Sequence, residues 1–597
     1  MKLVIVESPN KTRKIRAFLG DDYLVCASFG HVRDLPAAGD LAVDFRDGRV
    51  VPTYLPIERS RDVISELSRH AERAEEVLLA TDPDREGEAI AWHIAELLGP
   101  RRYRRVAFHA ITRAEVQRAV ASPRDLDLDL VAAQQARRVL DRVVGWLVSP
   151  TLRQVGPAAR SAGRVQSVAL RLVAEREQEI ARFNAVDYFI LRAQLERLGS
   201  PPSFAARLVT WKGEPLAQRL TSTEIAEKTV AWCRRQPWQV AACERREQAR
   251  HPPAPFVTAT VLQAASVRLG LNPDATMKLL QSLFEDGHIT YHRTDSVALS
   301  PEAVAAARAL IATTFPAAYL PGQPVPHQSK SANAQEAHEA IRPTHPESGA
   351  DALKDAPGGA LYRLIWQRFV ASEMASGRDQ LTTILVDCAP GSWQPPGGPA
   401  QAMGVFQAKG KVVLFDGWRR LTGEDATDEV APKSGGRGKK KAAAGDEDEF
   451  SGELPLLTVG DALTLRDLEA LARTTKPPAR YTQASLIKRL DHDGIGRPST
   501  HAAIMRTILE RGYVEEHKRK LHATELGVQL TIFLVRHFTG NFIDIGYTAR
   551  LEADLDRIAR GEADWQRIVT DASLAVLALA KKAGLRGNPL QARPPPA

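Results

Sequence analysis

Cysteine is nearly missing from this chain, with four residues in 597: Cys26, Cys233, Cys243 and Cys388. None is spaced as C-x-x-C, so no zinc ribbon can be built locally, and so few thiols in so long a chain give no disulfide framework. Long apolar runs are missing too. The opening MKLVIVESPN carries one lysine and a four-residue apolar run, Leu3 to Val6, too short for the h-region of a signal peptide. No stretch has the length needed to span a bilayer. There is no G-x-x-x-x-G-K followed by Ser or Thr, which excludes a P-loop ATPase. The run QEAHEAIRPTH carries His338, Glu339, Arg342 and His345, but Arg342 stands where H-E-x-x-H needs its second histidine, so that zinc site is rejected. These absences lead us to expect a cytoplasmic protein with no zinc, no ATP and no membrane partner.

What is present is ordinary globular composition, 44% hydrophobic and 25% charged, with a net charge of +8. The basic balance favours a polyanionic partner, nucleic acid before a membrane surface. Length suggests roughly four domains. Leu3–Val6 reads as a buried parallel strand, followed by a loop and a short basic helix ending at Gly20; EVLLATD (76–82) repeats the strand and runs into an amphipathic helix ending at Gly99. These units imply an α/β domain. Residues 129–183 read as helical, 187–250 as β-rich, the region after 252 as helical, and 379–430 as strands again. SGGRGKKKAAAGDEDEF (434–450) reads as disordered and the RPPPA tail as loose. A weak internal repeat aligns MKLLQSLFEDGHI (277–289) with AIMRTILERGYV (503–514); each copy reads as helix, glycine cap and strand, the shape of a winged helix-turn-helix.

Two constellations carry chemistry. Glu7 ends one predicted strand, and Asp82 and Asp84 end the other, where ligands of open α/β sheets bind. Converging carboxylates repel unless a cation holds them, and Mg²⁺ suits them; Glu86 and Glu88, read alone, complement a helix dipole. Basic residues gather elsewhere: Lys11 beside ESPN, His31 and Arg33 in GHVRDLP, Arg137, Arg138 and Asp141 within one helical turn, and Ser161, Arg164 and Gln166 at a predicted helix N-terminus. Each alone fits a solvated basic face. Together with the net charge they favour a groove for a nucleic-acid strand. In GHITYHRTDS, Tyr291 is followed by His292 and Arg293, and those ten residues leave open whether its hydroxyl is structural or nucleophilic.

Eight stretches, from VIVESPNKTRKI through GHVRDLP, ATDPDREGEAIAWHI, SAGRVQSVALR, GHITYHRTDS, NAQEAHEAIRPT and PPARYTQASLIKRLDHDGIGRPST to YTARLEADLDRIARGE, resemble in order the bacterial type IA DNA topoisomerases of the topoisomerase I branch. The resemblance implies a multidomain α/β plus α+β fold. A Toprim domain spans 1–128, with an excursion at 35–60 toward the strand-binding domain. A helical single-strand-binding domain takes 129–186 and 452–585. A β-rich arch takes 187–250 and 379–451, and a winged-helix-like tyrosine domain takes 251–378. Together they enclose a central hole, and 586–597 trails as a tail. It implies Tyr291 as nucleophile, with Arg293 clamping the phosphate and Lys11 adding positive charge or protonating the leaving oxygen. Glu7, Asp82 and Asp84 would govern Mg²⁺, with Glu86 beside them. Glu285, His338 and Asp295 would support the tyrosine. His31, Arg137, Arg138, Asp141 and the loop Ser161, Ala162, Gly163, Arg164, Val165 and Gln166 would contact DNA, as would Arg293. A monomer at the nucleoid, relaxing negative supercoils without ATP, is expected. The zinc ribbons that many members carry after the core are missing from this sequence, and DPD replaces the more usual DLD. The alternatives are a topoisomerase III-like decatenase, a Toprim nuclease, and a Toprim-containing single-strand-binding protein.

Overall fold

In the computed structural model, residues 1–590 are described except 37–39, 47–48, 101, 198–199, 217–219, 328–337, 395–397, 424–452 and 588–589. The segment read as disordered, 434–450, and most of the tail lie outside the described residues.

The chain opens on four parallel strands, ordered Tyr23–Ala27, Lys2–Val6, Val77–Ala80, Tyr103–Arg105. Their side chains alternate between two cores. Leu3, Ile5, Val77 and Leu79 pack with Leu67, Ile90 and Ile94 from the helices Arg61–Arg73 and Arg85–Leu98. Val4, Val6, Leu78 and Ala80 share a second core with Phe256, Leu280, Phe284 and Tyr291. Being buried on both faces explains the unbroken apolar run of the central strand. The 35–60 excursion is present. Val43–Arg46 and Arg49–Pro52 form a hairpin whose Val43 and Val50 join the core of the helical unit, and Gln566 bonds the Val50 backbone at 3.2 Å.

The β-rich part is a closed ring. Asp187–Arg197 pairs with Ser200–Trp211, which pairs with Gly404–Phe415, then Gly377–Cys388, Trp238–Arg250 and Ala462–Thr474, and the last returns to Asp187–Arg197. The closing contact is short, two positions long, Trp238 opposite Leu463 and Gln239 opposite Ala462. The sequence boundary at 452 needs correcting here, because Ala462–Thr474 belongs to this ring and not to the helical unit. Its eleven-position ladder with Asp187–Arg197 is a contact distant in sequence, and local patterning does not reveal it.

The internal repeat keeps one offset of 225 positions. His288 N–H bonds Leu283 O at 2.8 Å, and Tyr513 N–H bonds Ile508 O at 3.2 Å. Gly287 and Gly512 take φ of 65° and 67°, the left-handed cap that ends both helices. The match extends upstream of the aligned stretch: Thr260 and Ser485 each accept, through the side-chain oxygen, from the N–H three residues earlier, Val257 at 3.0 Å and Thr482 at 2.8 Å. The strand after the cap differs. Val514–His517 forms a hairpin with Lys520–Ala523, whereas Ile289 makes one bridge to Pro343.

Candidate active site

Ser8 caps the helix Pro9–Leu19, and Asp84 caps Arg85–Leu98 by accepting from Gly87 N–H at 2.9 Å. Gly87 is required there, since a Cβ would meet the Asp82 carbonyl oxygen at 2.0 Å. These turns place Glu7, Lys11, Asp82 and Asp84 at the C-terminal edge of the parallel sheet. The second Asp84 oxygen, Oδ2, accepts the Tyr291 hydroxyl at 2.7 Å, with Arg293 Nη1 3.7 Å from the same oxygen. Tyr291 is 2% exposed. Its hydroxyl is pushed well above the usual tyrosine range, first by burial and then by the charges of Asp84 and Asp82.

Lys11 is buried and donates to Asp82 Oδ1. Burial alone would lower its pKa, but the Asp82 and Glu7 carboxylates carry it above its ordinary value. Glu7 is pushed up to about 7 by burial and by Asp82, with Lys11 opposing and Asp84 adding. Glu7, Asp82 and Asp84 therefore crowd one another. The other Asp82 oxygen, Oδ2, is buried with no hydrogen-bond partner, so it fits a hard cation, as does the Glu7 carboxylate. Among the described residues, no three His, Cys, Asp or Glu side chains already form a ligand cage. Glu86 is turned elsewhere. It accepts from His31 Nε2 at 3.3 Å and Gln134 Nε2 at 3.2 Å. Despite burial, His31 holds it down to about 2.

Several contacts close the tyrosine unit on the parallel sheet. His338 Nε2 donates to Pro83 O at 2.9 Å, Tyr291 N–H to His109 O at 2.8 Å, and Asn10 Nδ2 to Glu285 Oε2 at 2.8 Å. Asp295 lines a cleft with Asp84, Arg85, Arg293, His338, Arg497 and Asp556. It influences Arg497.

The basic residues read as strand contacts divide. Arg138 makes a two-pronged bond to Asp34, at 2.8 and 2.7 Å. Arg164, 1% exposed, pairs with Asp141 and with Glu552, both at 3.1 Å. Arg137 is buried 3.4 Å from Glu552. The picture of Arg137 and Arg164 facing an exposed backbone is thus corrected: both point inward, because buried Glu552 lies behind them. The loop before Arg164 does begin a helix, Arg164–Ala181, capped by Gly163. Ala162 and Val165 are buried, while Ser161, Gly163 and Gln166 remain half-buried. Ser161 is held at both ends of its peptide by the Tyr513 hydroxyl, which accepts from its N–H at 3.1 Å and donates to its carbonyl at 2.8 Å.

Sequence reasoning missed the hub itself. Glu552 and Asp556, one turn apart on Ile545–Ala559, meet Arg137, Arg164, Arg497 and Arg85, with Arg85 3.0 Å from Asp556. Acids falling between Leu551, Leu555 and Ile558, on the apolar stripe of a helix, were the available signal.

A parallel sheet with acids at its C-terminal edge, closed by a tyrosine from a repeated helical unit, is an arrangement of the Toprim class. The Toprim domain family matches residues 2–111, and the DNA topoisomerase family matches 125–570. The chain belongs to the bacterial DNA topoisomerase family, with a Toprim domain at its N-terminal end. It is 41% identical to DNA topoisomerase 1 of Zymomonas mobilis over 95% of this chain and 45% of that protein. It is 39% identical to DNA topoisomerase 1 of Escherichia coli over 95% of this chain and 65% of that one. The structure of full-length topoisomerase I from Thermotoga maritima superposes with a TM-score of 0.79 at 30% identity, covering 97% of this chain and 90% of that one. The chain spans about half to two thirds of the length of these curated relatives. Among the described residues no helix is long and apolar enough to cross a membrane.

Proposed function

We propose that the chain is a type IA DNA topoisomerase I that breaks and rejoins one strand of underwound DNA, without ATP and with Mg²⁺, in the cytoplasm at the nucleoid. The observation that carries this is the 2.7 Å bond from the Tyr291 hydroxyl to Asp84, beside Arg293 and the Lys11–Asp82 pair. A phenol needs help to lose its proton. Asp84 is already in place to take it as the tyrosine oxygen attacks phosphorus. Arg293 holds the phosphate oxygens. Lys11, kept charged by its carboxylates, gives a proton to the departing 3′ oxygen. One phosphodiester is exchanged for a 5′-phosphotyrosyl ester plus a free 3′-hydroxyl, so the step is near balance and reverses on religation. Glu7 and Asp82 would hold Mg²⁺, which supplies positive charge for aligning the broken strand.

In the closed arrangement Tyr291 is sealed against Asp84, so a strand must part them, and a strand free of its complement does so most readily. Relaxation of negatively supercoiled plasmid with and without Mg²⁺ is the test. Negative supercoils should be removed and positive supercoils in fully paired DNA left alone. Removal of positive supercoils, or relaxation by Tyr291→Phe, would overturn the reading.

A further inference from the structure

At the edge of the same sheet, one residue is held in a conformation that its side chain disfavours. Phe29 has φ of 57° and is 61% exposed. A bulky residue in the left-handed region is an outlier, kept only where the surroundings impose it, and such residues cluster at functional sites. Three of the five other non-glycine cases among the described residues sit in tight hairpin turns. Lys212 lies in the turn between Ser200–Trp211 and Glu214–Pro215, and Lys518 and Arg519 join Val514–His517 to Lys520–Ala523. Phe29 lies in no hairpin, since the strand before it runs parallel to its neighbour.

The surroundings that impose it are visible. Ser28 N–H bonds Val6 O at 2.9 Å, and Gly30 N–H bonds Glu7 O at 3.1 Å. The Ser28 hydroxyl bonds Gly30 O at 3.1 Å, and Gly30 itself has φ of 90°. The loop is thus pinned on both sides of Phe29 across the end of the strand that carries Glu7. The ring is left outside. From the cleft at Asp84, the first turn of Arg85–Leu98 leads to Glu86, Glu86 bonds His31, and His31 is two residues from Phe29. An exposed aromatic ring on a pinned loop therefore lies two residues from His31, whose partner Glu86 sits in the first turn of the helix that Asp84 caps.

We propose that Phe29 is a stacking platform for one unpaired nucleobase of the strand entering the site. The inference rests on the single-strand reading above. A pinned loop suits stacking because little freedom is lost on binding, and a π-face accepts any base. The partner is thus a single-stranded segment read by its presence, not by its sequence.

The test uses the full chain and a fixed single-stranded oligonucleotide in which an abasic site is walked along the sequence, with binding followed by fluorescence anisotropy. One abasic position should weaken wild-type binding about tenfold. Phe29→Ala should bind the intact oligonucleotide about tenfold more weakly and lose sensitivity at that position, whereas Phe29→Trp should keep it. Phe29→Gly, freed of the φ conflict, should melt no lower than wild type yet lose the same discrimination. Wild-type affinity in Phe29→Ala, or a Phe29→Gly variant that loses thermal stability together with binding, overturns the platform while single-strand binding stands. A wild-type protein that binds no oligonucleotide overturns both readings.

Discussion

Replacing Glu552 by Gln keeps the shape of the side chain and removes the charge on which Arg137, Arg164 and Arg497 converge. Glu552 is fully buried, and those guanidiniums hold its carboxyl, against the cost of burial, at about 2 where an ordinary glutamate has 4.5. At about 1.4 kcal/mol for each tenfold change, the charged form stabilises the fold by about 3 kcal/mol near neutral pH. The sign follows from a depressed pKa. The contribution is complete above about pH 4.5 and fades as pH falls from there toward 2. Glu552→Gln should therefore lose about 3 kcal/mol at pH 7. The loss would be seen as faster hydrogen exchange in Ile545–Ala559 and Arg164–Ala181 and as a lower urea midpoint for the helical unit. The gap to wild type should narrow as the pH is lowered to 3. Arg164 keeps Asp141 and Arg497 keeps Asp556, so among the described residues Arg137 is the cation left without an ion pair. Adding Arg137→Met should accordingly recover part of the loss. A difference under about 1 kcal/mol at pH 7, or one that does not narrow in acid, would refute the reasoning.

Tyr291→Phe should abolish the covalent DNA adduct on denaturing gels while leaving oligonucleotide binding close to wild type, since one oxygen and no charge is removed. Asp82→Ala combined with Asp84→Ala should abolish Mg²⁺-dependent relaxation, and an unaltered Mg²⁺ titration would remove the metal assignment. Arg164→Ala should lower thermal stability and leave the salt dependence of strand binding unchanged, because its guanidinium already faces Asp141 and Glu552; a slope reduced by about one phosphate would contradict this. Gly287→Ala and Gly512→Ala separate two costs: both force a left-handed alanine, about 1 kcal/mol, but only at Gly287 does the new methyl strike a carbonyl, Ile111 O at 2.4 Å, so that variant should unfold at clearly lower urea.

Much of this site is legible in the sequence because it is local. Glu7, Asp82 and Asp84 follow apolar runs that could only be buried strands, and strand ends are where such sheets place their chemistry. The bond from Tyr291 to Asp84 is not legible in the same way: the two are 207 positions apart, and only the packing of separate units joins them. Direction is also hidden. A run such as QQARRV announces charge, but whether Arg137 faces water or a buried glutamate depends on Glu552, on a helix much later in the chain. The ring strand Ala462–Thr474 escaped for the same reason, its partner being Asp187–Arg197. The duplication is the exception. Its offset of 225 reaches from caps to packing because both copies solve one local problem, ending a helix and turning the chain.

The closed strand ring has a further mechanical meaning. It hangs from the rest of the molecule by separate ends: Asp187 and Thr474 lead to the helical unit, Arg250 and Gly377 to the tyrosine unit. Hydrogen-bonded ribbons bend and twist far more easily than they stretch. Should Tyr291 part from Asp84, the ring would still tie the tyrosine unit to the helical unit. A strand end carried on the tyrosine and one held at the acids would stay at an effective concentration on the order of millimolar. Rejoining would then be a first-order event, indifferent to how dilute the protein is.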